Sequence, residues 1–178
     1  MGFCKIKDVE VDDIDSLINL CVPSERRNDK FFIEGIKAKK AWAIESLGKF
    51  GSIAKIAYLD SKPVGLIQYQ PKPKERLMEI MCIFVPNKQV QRKGTGKALL
   101  NALIEDANKP KEFFGNEPPL ALVTWAFNVP RYYPQNEFYL KMGFKKVRED
   151  DPFLLYYPLR KGYVYQPKEE RYNPQEED

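Results

Sequence analysis

Apolar residues change their spacing several times along the chain, and each change marks an element. "FCKIKDV" alternates and predicts an opening strand. In "DDIDSLINLC", Ile14, Leu17, Ile18 and Cys21 recur at helical spacing behind Asp12 or Asp13 as a cap, and Pro23 and Ser24 end that helix. "NDKFFIEGIKAKKAWAIESLGK" predicts a second helix with Asn28 or Asp29 as its cap and Gly48 near its end. "SIAKIAYLD" and "PVGLIQYQP" are β-rich runs joined by "DSKP", the turn chemistry of an antiparallel hairpin. "LMEIMCIFV", residues 77–85, predicts a strand buried on both faces and ended by Pro86.

Leu99, Leu100, Leu103, Ile104 and Ala107 then form one apolar stripe of a helix that closes near Asn108 and Pro110. "LALVTWAF" follows as another strand of buried type. Strand, turn, helix, strand is the order of a right-handed parallel crossover, which places the chain in the α/β class. After the long loop "NVPRYYPQ" come a short helix around "NEFYLKM", a stop at Gly143, and the β-rich runs "FKKV" and "FLLYYPL".

Composition narrows what such a fold can do. At 178 residues and 43% apolar content there is material for one sizeable core, assigned to residues 1–160, with 161–178 as a polar, acidic tail containing Tyr and Pro. The chain has no histidine, which removes Ser-His and Cys-His nucleophile pairs and His-ligated metals; acid and base work falls to carboxylates, lysines, tyrosines or thiols. Cys4, Cys21 and Cys82 are scattered and odd in number, so neither a disulfide framework nor a structural zinc site is expected. A net charge of +4, with bases and acids interspersed, gives no basic arm for nucleic acid. No stretch is apolar enough to cross a membrane, and a cytoplasmic protein is expected.

The stretch "VQRKGTGKALL", residues 90–100, sits between strand and helix. A helix start offers unpaired N–H groups and about half a positive charge, and glycines let an anion approach closely. A dinucleotide GxGxxG would need Gly or Ala at Leu99, and a P-loop would need Gly at Gln91 and a hydroxyl at Ala98, so both fail. What remains, Gln91, two residues, Gly94, one residue, Gly96, resembles the pyrophosphate loop of the GNAT superfamily of N-acetyltransferases. "EFYLKMGFKKV" is similar to that family's C-terminal motif, and a glutamate inside the preceding strand is a further likeness. The resemblance covers residues 3 to about 159.

The resemblance implies a mixed, mainly antiparallel sheet of six or seven strands, with a central splayed parallel pair and helices on both faces. It implies acetyl-CoA, or another acyl-CoA, as co-substrate, held by Gln91, Arg92, Lys93, Gly94, Thr95, Gly96 and Lys97, chiefly through main-chain amides, with Ile83, Phe84 and Val85 taking the pantetheine arm along the strand. No metal is called for. The family's direct acyl transfer needs a base and an acid. Glu79 is the lone carboxylate of "LMEIMCIFV", on the face of Leu77, Met81, Ile83 and Val85, where apolar neighbours suit it to accepting a proton. Tyr139 matches the family's tyrosine, a phenol able to protonate a departing thiolate, with Tyr133 as a backup.

Cys82 lies on the opposite strand face without an activating base and is expected to be a core thiol. Asn128 follows the strand as a family asparagine does, but eleven positions before Tyr139, where seven are usual. The acceptor is an amine of unspecified kind, and a homodimer is left open. The other reading is a protein that binds acyl-CoA without turnover, as a sensor or partner.

Overall fold

The structure is a computed structural model that describes residues 4–21, 28–86, 90–91 and 93–167. Among the described residues seven strands are hydrogen-bonded in the order β1-β2-β3-β4-β5-β7-β6, and residue contacts divide the chain into two compact units.

The first unit comprises residues up to Tyr69 together with Cys82–Glu105. β1 (Lys5–Asp8) pairs antiparallel with β2 (Ala54–Leu59), from Lys5↔Tyr58 to Asp8↔Lys55. Lys55 is buried, and Asp8 accepts a hydrogen bond from its ammonium, which keeps a desolvated charge paired. A 3-10 turn, Val11–Asp13, leads into α1 (Ile14–Cys21). The N-cap of this turn is Glu10 rather than Asp12 or Asp13; Asp13 takes part from the third position, accepting from the Glu10 N–H at 2.9 Å, and also from Lys7 at 3.0 Å and the Tyr58 hydroxyl at 3.2 Å. Burial pushes this carboxyl up, but those donors outweigh it and hold it below its ordinary value.

α2 (Lys30–Phe50) starts at Asp29, whose carboxylate accepts from the Phe31 N–H at 3.0 Å. Asp29 rather than Asn28 is therefore the cap. The helix stops at Gly51, which has φ 78, and not at Gly48: a left-handed residue that ends the hydrogen-bond ladder is needed, and Gly51 supplies it. β2 turns into β3 (Lys62–Lys72) through Asp60 and Ser61, both at positive φ (49° and 67°), the two-residue turn whose twist suits a hairpin. Ile14, Leu17, Ile18, Ala43, Ile53, Ile56 and Leu66 form this unit's core. α3 (Thr95–Ala107) buries the predicted stripe, Leu99, Leu100, Leu103 and Ala107, with Ile104 half-buried.

The second unit comprises Gln70–Met81 and residues from Asp106 onward. β4 (Leu77–Phe84) runs parallel to β5 (Ala121–Trp125) from Leu77↔Ala121 to Ile80↔Thr124, and the buried Thr124 hydroxyl donates to the Ile80 carbonyl at 3.1 Å. β4 continues to Phe84 beyond this register. It is buried on both faces only at its start: Leu77 and Met78 are enclosed, whereas Met81 is 39% exposed. β7 (Leu154–Pro158) lies antiparallel between β5 and β6 (Lys145–Lys146). α4 (Gln135–Lys141) precedes Gly143, which has φ 99.

Leu77, Ala121, Val123, Leu154 and Tyr156 pack with Tyr165, whose ring lies 6.2 Å from that of Tyr156. The first residues beyond 160 are thus held to the second core; 168–178 lie outside the described residues. Among the described residues no helix is long and apolar enough to cross a membrane.

Candidate active site

Gly94 has φ 84, a conformation that glycine adopts without penalty and that turns the chain straight into α3. The first intrahelical bond runs from the Ala98 N–H to the Gly94 carbonyl at 2.9 Å. The amides of Thr95, Gly96 and Lys97 precede it, at the positions where a helix start leaves N–H groups without an intrahelical acceptor. These donors, together with the positive end of the helix dipole, suit an anion. Lys93, Gly94 and Lys97 are exposed and Gly96 is half-buried. Thr95 is buried, its hydroxyl 3.4 Å from the Cys4 sulfur. Arg92 lies outside the described residues.

Gln91 has a role that its spacing did not reveal. Its side-chain amide donates to the Val85 carbonyl at 2.9 Å, tying the end of the β4 segment to the loop that leads into α3. Ile83 is buried, and Phe84 and Val85 are half-buried. A Cβ built on Gly65 would stand 3.1 Å from a Val85 methyl, 3.3 Å from the Phe84 carbonyl oxygen and 3.4 Å from a Leu99 methyl. β3 therefore approaches this stretch so closely that an added methyl would make its neighbours give by a few tenths of an ångström, which no local pattern announces. Gly65→Ala is expected to cost about 1 kcal/mol of stability by crowding the Val85 methyl and the Phe84 carbonyl. Thermal unfolding checks this; an unchanged melting temperature would show that the neighbouring strand yields without cost.

Glu79 and Tyr139 both belong to the second unit. Glu79 is half-buried in β4, in register with Val123 of β5. Tyr139 is 1% exposed, its ring 4.9 Å from Phe144 and 5.5 Å from Phe138. Tyr133 is exposed, and Lys141 donates to its hydroxyl while lying over its ring, so the backup tyrosine is engaged on the surface. The Asn128 side chain accepts from the Gln135 N–H at 3.0 Å, a use that spacing could not disclose. Asn136, at the second position of α4, has a buried side-chain oxygen with no hydrogen-bond partner among the described residues.

Burial pushes the Cys82 thiol up to about 11, with Cys21 adding to the effect and Lys39 opposing it. It packs beside the first core, as expected of a core thiol. The folded value lies above the ordinary 9.0, so this thiol's contribution to stability is intact below pH 9 and lost as pH rises toward 11. Iodoacetamide at pH 8 is expected to leave Cys82 unmodified in the folded protein and to label it after unfolding, as mass spectrometry would show. Among the described residues no cluster of His, Cys, Asp and Glu could hold a metal.

The family model described as "Acetyltransferase (GNAT) domain" matches residues 51–146. Among solved structures, the PaiA N-acetyltransferase from Thermoplasma acidophilum, in complex with coenzyme A, is 16% identical with a TM-score of 0.60, covering 88% of this chain and 99% of its own. Ard1 from Thermoplasma volcanium is 16% identical at a TM-score of 0.55, covering 86% and 93%. N-acetylglutamate synthase from Neisseria gonorrhoeae, complexed with coenzyme A and L-arginine, is 18% identical at 0.55, covering 89% of this chain and 34% of its own. No curated protein matches the sequence significantly. These likenesses are to the fold; the match over residues 51–146 includes the loop, Glu79 and Tyr139.

Proposed function

The chain belongs to the GNAT acetyltransferase family, and on that premise we propose that it transfers acetyl from acetyl-CoA directly to a primary amine within a ternary complex. The observation that carries the reading is the start of α3: Gly94 in a left-handed conformation, directly ahead of the N–H groups that a helix start leaves without an intrahelical acceptor. Coenzyme A present in the complexes of two similar structures supports it. Bound acetyl-CoA supplies an acetyl thioester.

The amides of Thr95, Gly96 and Lys97 hold the pyrophosphate, and the Ile83–Val85 main chain orients the pantetheine arm. The exposed ammonium of Lys93 or Lys97 adds attraction to phosphate from the surface. Glu79 takes the proton that the acceptor ammonium must lose for its nitrogen to attack the thioester carbon. As the C–S bond breaks, the electron pair goes to sulfur, and Tyr139 hands that sulfur its proton. Its ring, packed between Phe138 and Phe144, fixes where the hydroxyl can act.

Release of free thiol from acetyl-CoA, followed across a panel of peptide N-termini, lysines, polyamines, aminoglycosides and small amines, tests the reading. Amine-dependent release is expected. Binding of acetyl-CoA with no release for any amine would instead establish a sensor that uses the same pocket chemistry without turnover.

A further inference from the structure

We propose that Asn128 and Gln135 form a reciprocal clasp that sets the start of α4 and, through it, positions Tyr139. The idea rests on the assignment of Tyr139 as the acid under Proposed function. α4 has 7 residues, far fewer than an isolated helix needs to persist in water, so its geometry depends on what holds its ends. The residue at its N-cap is Pro134, which makes no side-chain cap hydrogen bond. The missing acceptor comes instead from seven residues upstream: Asn128 Oδ1 accepts from the Gln135 N–H at 3.0 Å.

Gln135 completes the exchange, its Oε1 accepting from the Phe127 N–H at 3.4 Å. Both donors are main-chain N–H groups, which can only donate, so each side-chain amide must present its oxygen and the orientation of both is determined. The clasp closes the 128–134 loop, which turns at Arg131 with φ 73, and joins the residues after β5 to the first residue of α4. Gln135 and Tyr139 are four apart and lie on one row of the helix. With the Tyr139 ring packed against Phe138 and Phe144, its hydroxyl can move only as the helix moves. Asn128 thus acts as a positioning residue, in place of the cofactor contact that a family asparagine would make.

The test uses the full chain and acetyl-CoA with whichever amine supports thiol release. Asn128→Ala is expected to lower kcat about tenfold with KM for acetyl-CoA within twofold of wild type. Asn128→Asp, which keeps an acceptor oxygen at a helix start, should recover most of the loss. In a Tyr139→Phe background, which itself should lower kcat tenfold or more, Asn128→Ala should cost nothing further. An Asn128→Ala variant that raises KM for acetyl-CoA at unchanged kcat would make Asn128 a cofactor contact and overturn the clasp. So would losses that multiply with Tyr139→Phe, or a wild-type kcat in Asn128→Ala. If Tyr139→Phe alone keeps full activity, the acid assignment is what fails, and a folded Tyr139→Phe control by thermal unfolding keeps the two outcomes apart.

Discussion

Glu79→Gln is expected to lower kcat for amine-dependent thiol release by about a hundredfold or more, the range over which a positioned base contributes. Gln preserves the size of the side chain and its place in β4 opposite Val123, but removes the group that accepts a proton. The acceptor must lose a proton before its nitrogen can attack, so the loss should appear in kcat and kcat/KM for the amine. Acetyl-CoA binding, which the proposed function assigns to the main chain of Ile83–Val85 and the start of α3, should stay near wild type. Steady-state kinetics with calorimetric titration of acetyl-CoA separates the two quantities. A fully active Glu79→Gln protein would remove Glu79 as base and turn attention to water or to another carboxylate.

Gly94→Val should weaken acetyl-CoA binding by roughly tenfold and lower the melting temperature. Gly94 has φ 84, where a β-branched side chain collides with its own backbone, at a cost of about 1–3 kcal/mol. Relief of that strain rotates the residue before α3 and carries the Thr95, Gly96 and Lys97 amides away from convergence. Gly96 is not among the residues at positive φ, so Gly96→Ala makes an informative partner. It should leave the melting temperature nearly unchanged while still weakening binding, because an added methyl keeps an anion from close approach to the helix start. Titration calorimetry and thermal unfolding of the two variants check the distinction. Equal affinity in wild type and Gly94→Val would show that the anion is held elsewhere.

The loop was legible because its requirements are local. A left-handed turn needs glycine, a helix start needs an apolar stripe behind it, and both are written within the eleven residues from Val90 to Leu100. The elements were legible for the same reason: β-branched runs and the Leu99, Leu100, Leu103, Ala107 stripe depend on spacing along the chain. Cap choice was harder, since Asn28 and Asp29 are both good acceptors and only the geometry at Phe31 selects Asp29.

Glu79 and Tyr139 were assigned through the order of motifs along the chain, while their burial came only with the fold. Tyr139 reads the same in sequence whether it is enclosed or exposed, and enclosure by Phe138 and Phe144 depends on how α4 packs.

By itself, then, the sequence determined the α/β class, the family likeness, the glycine turn and the absence of imidazole chemistry, all of which follow from residue identity and short-range spacing. Tertiary structure alone decided that Gln91 ties Val85, that Gly65 makes room for the Phe84 carbonyl, and that Asn128 serves the start of α4. Each of these joins residues by a contact whose existence depends on strand register and helix placement, and a contact of that kind leaves no period in the chain for a reader to find.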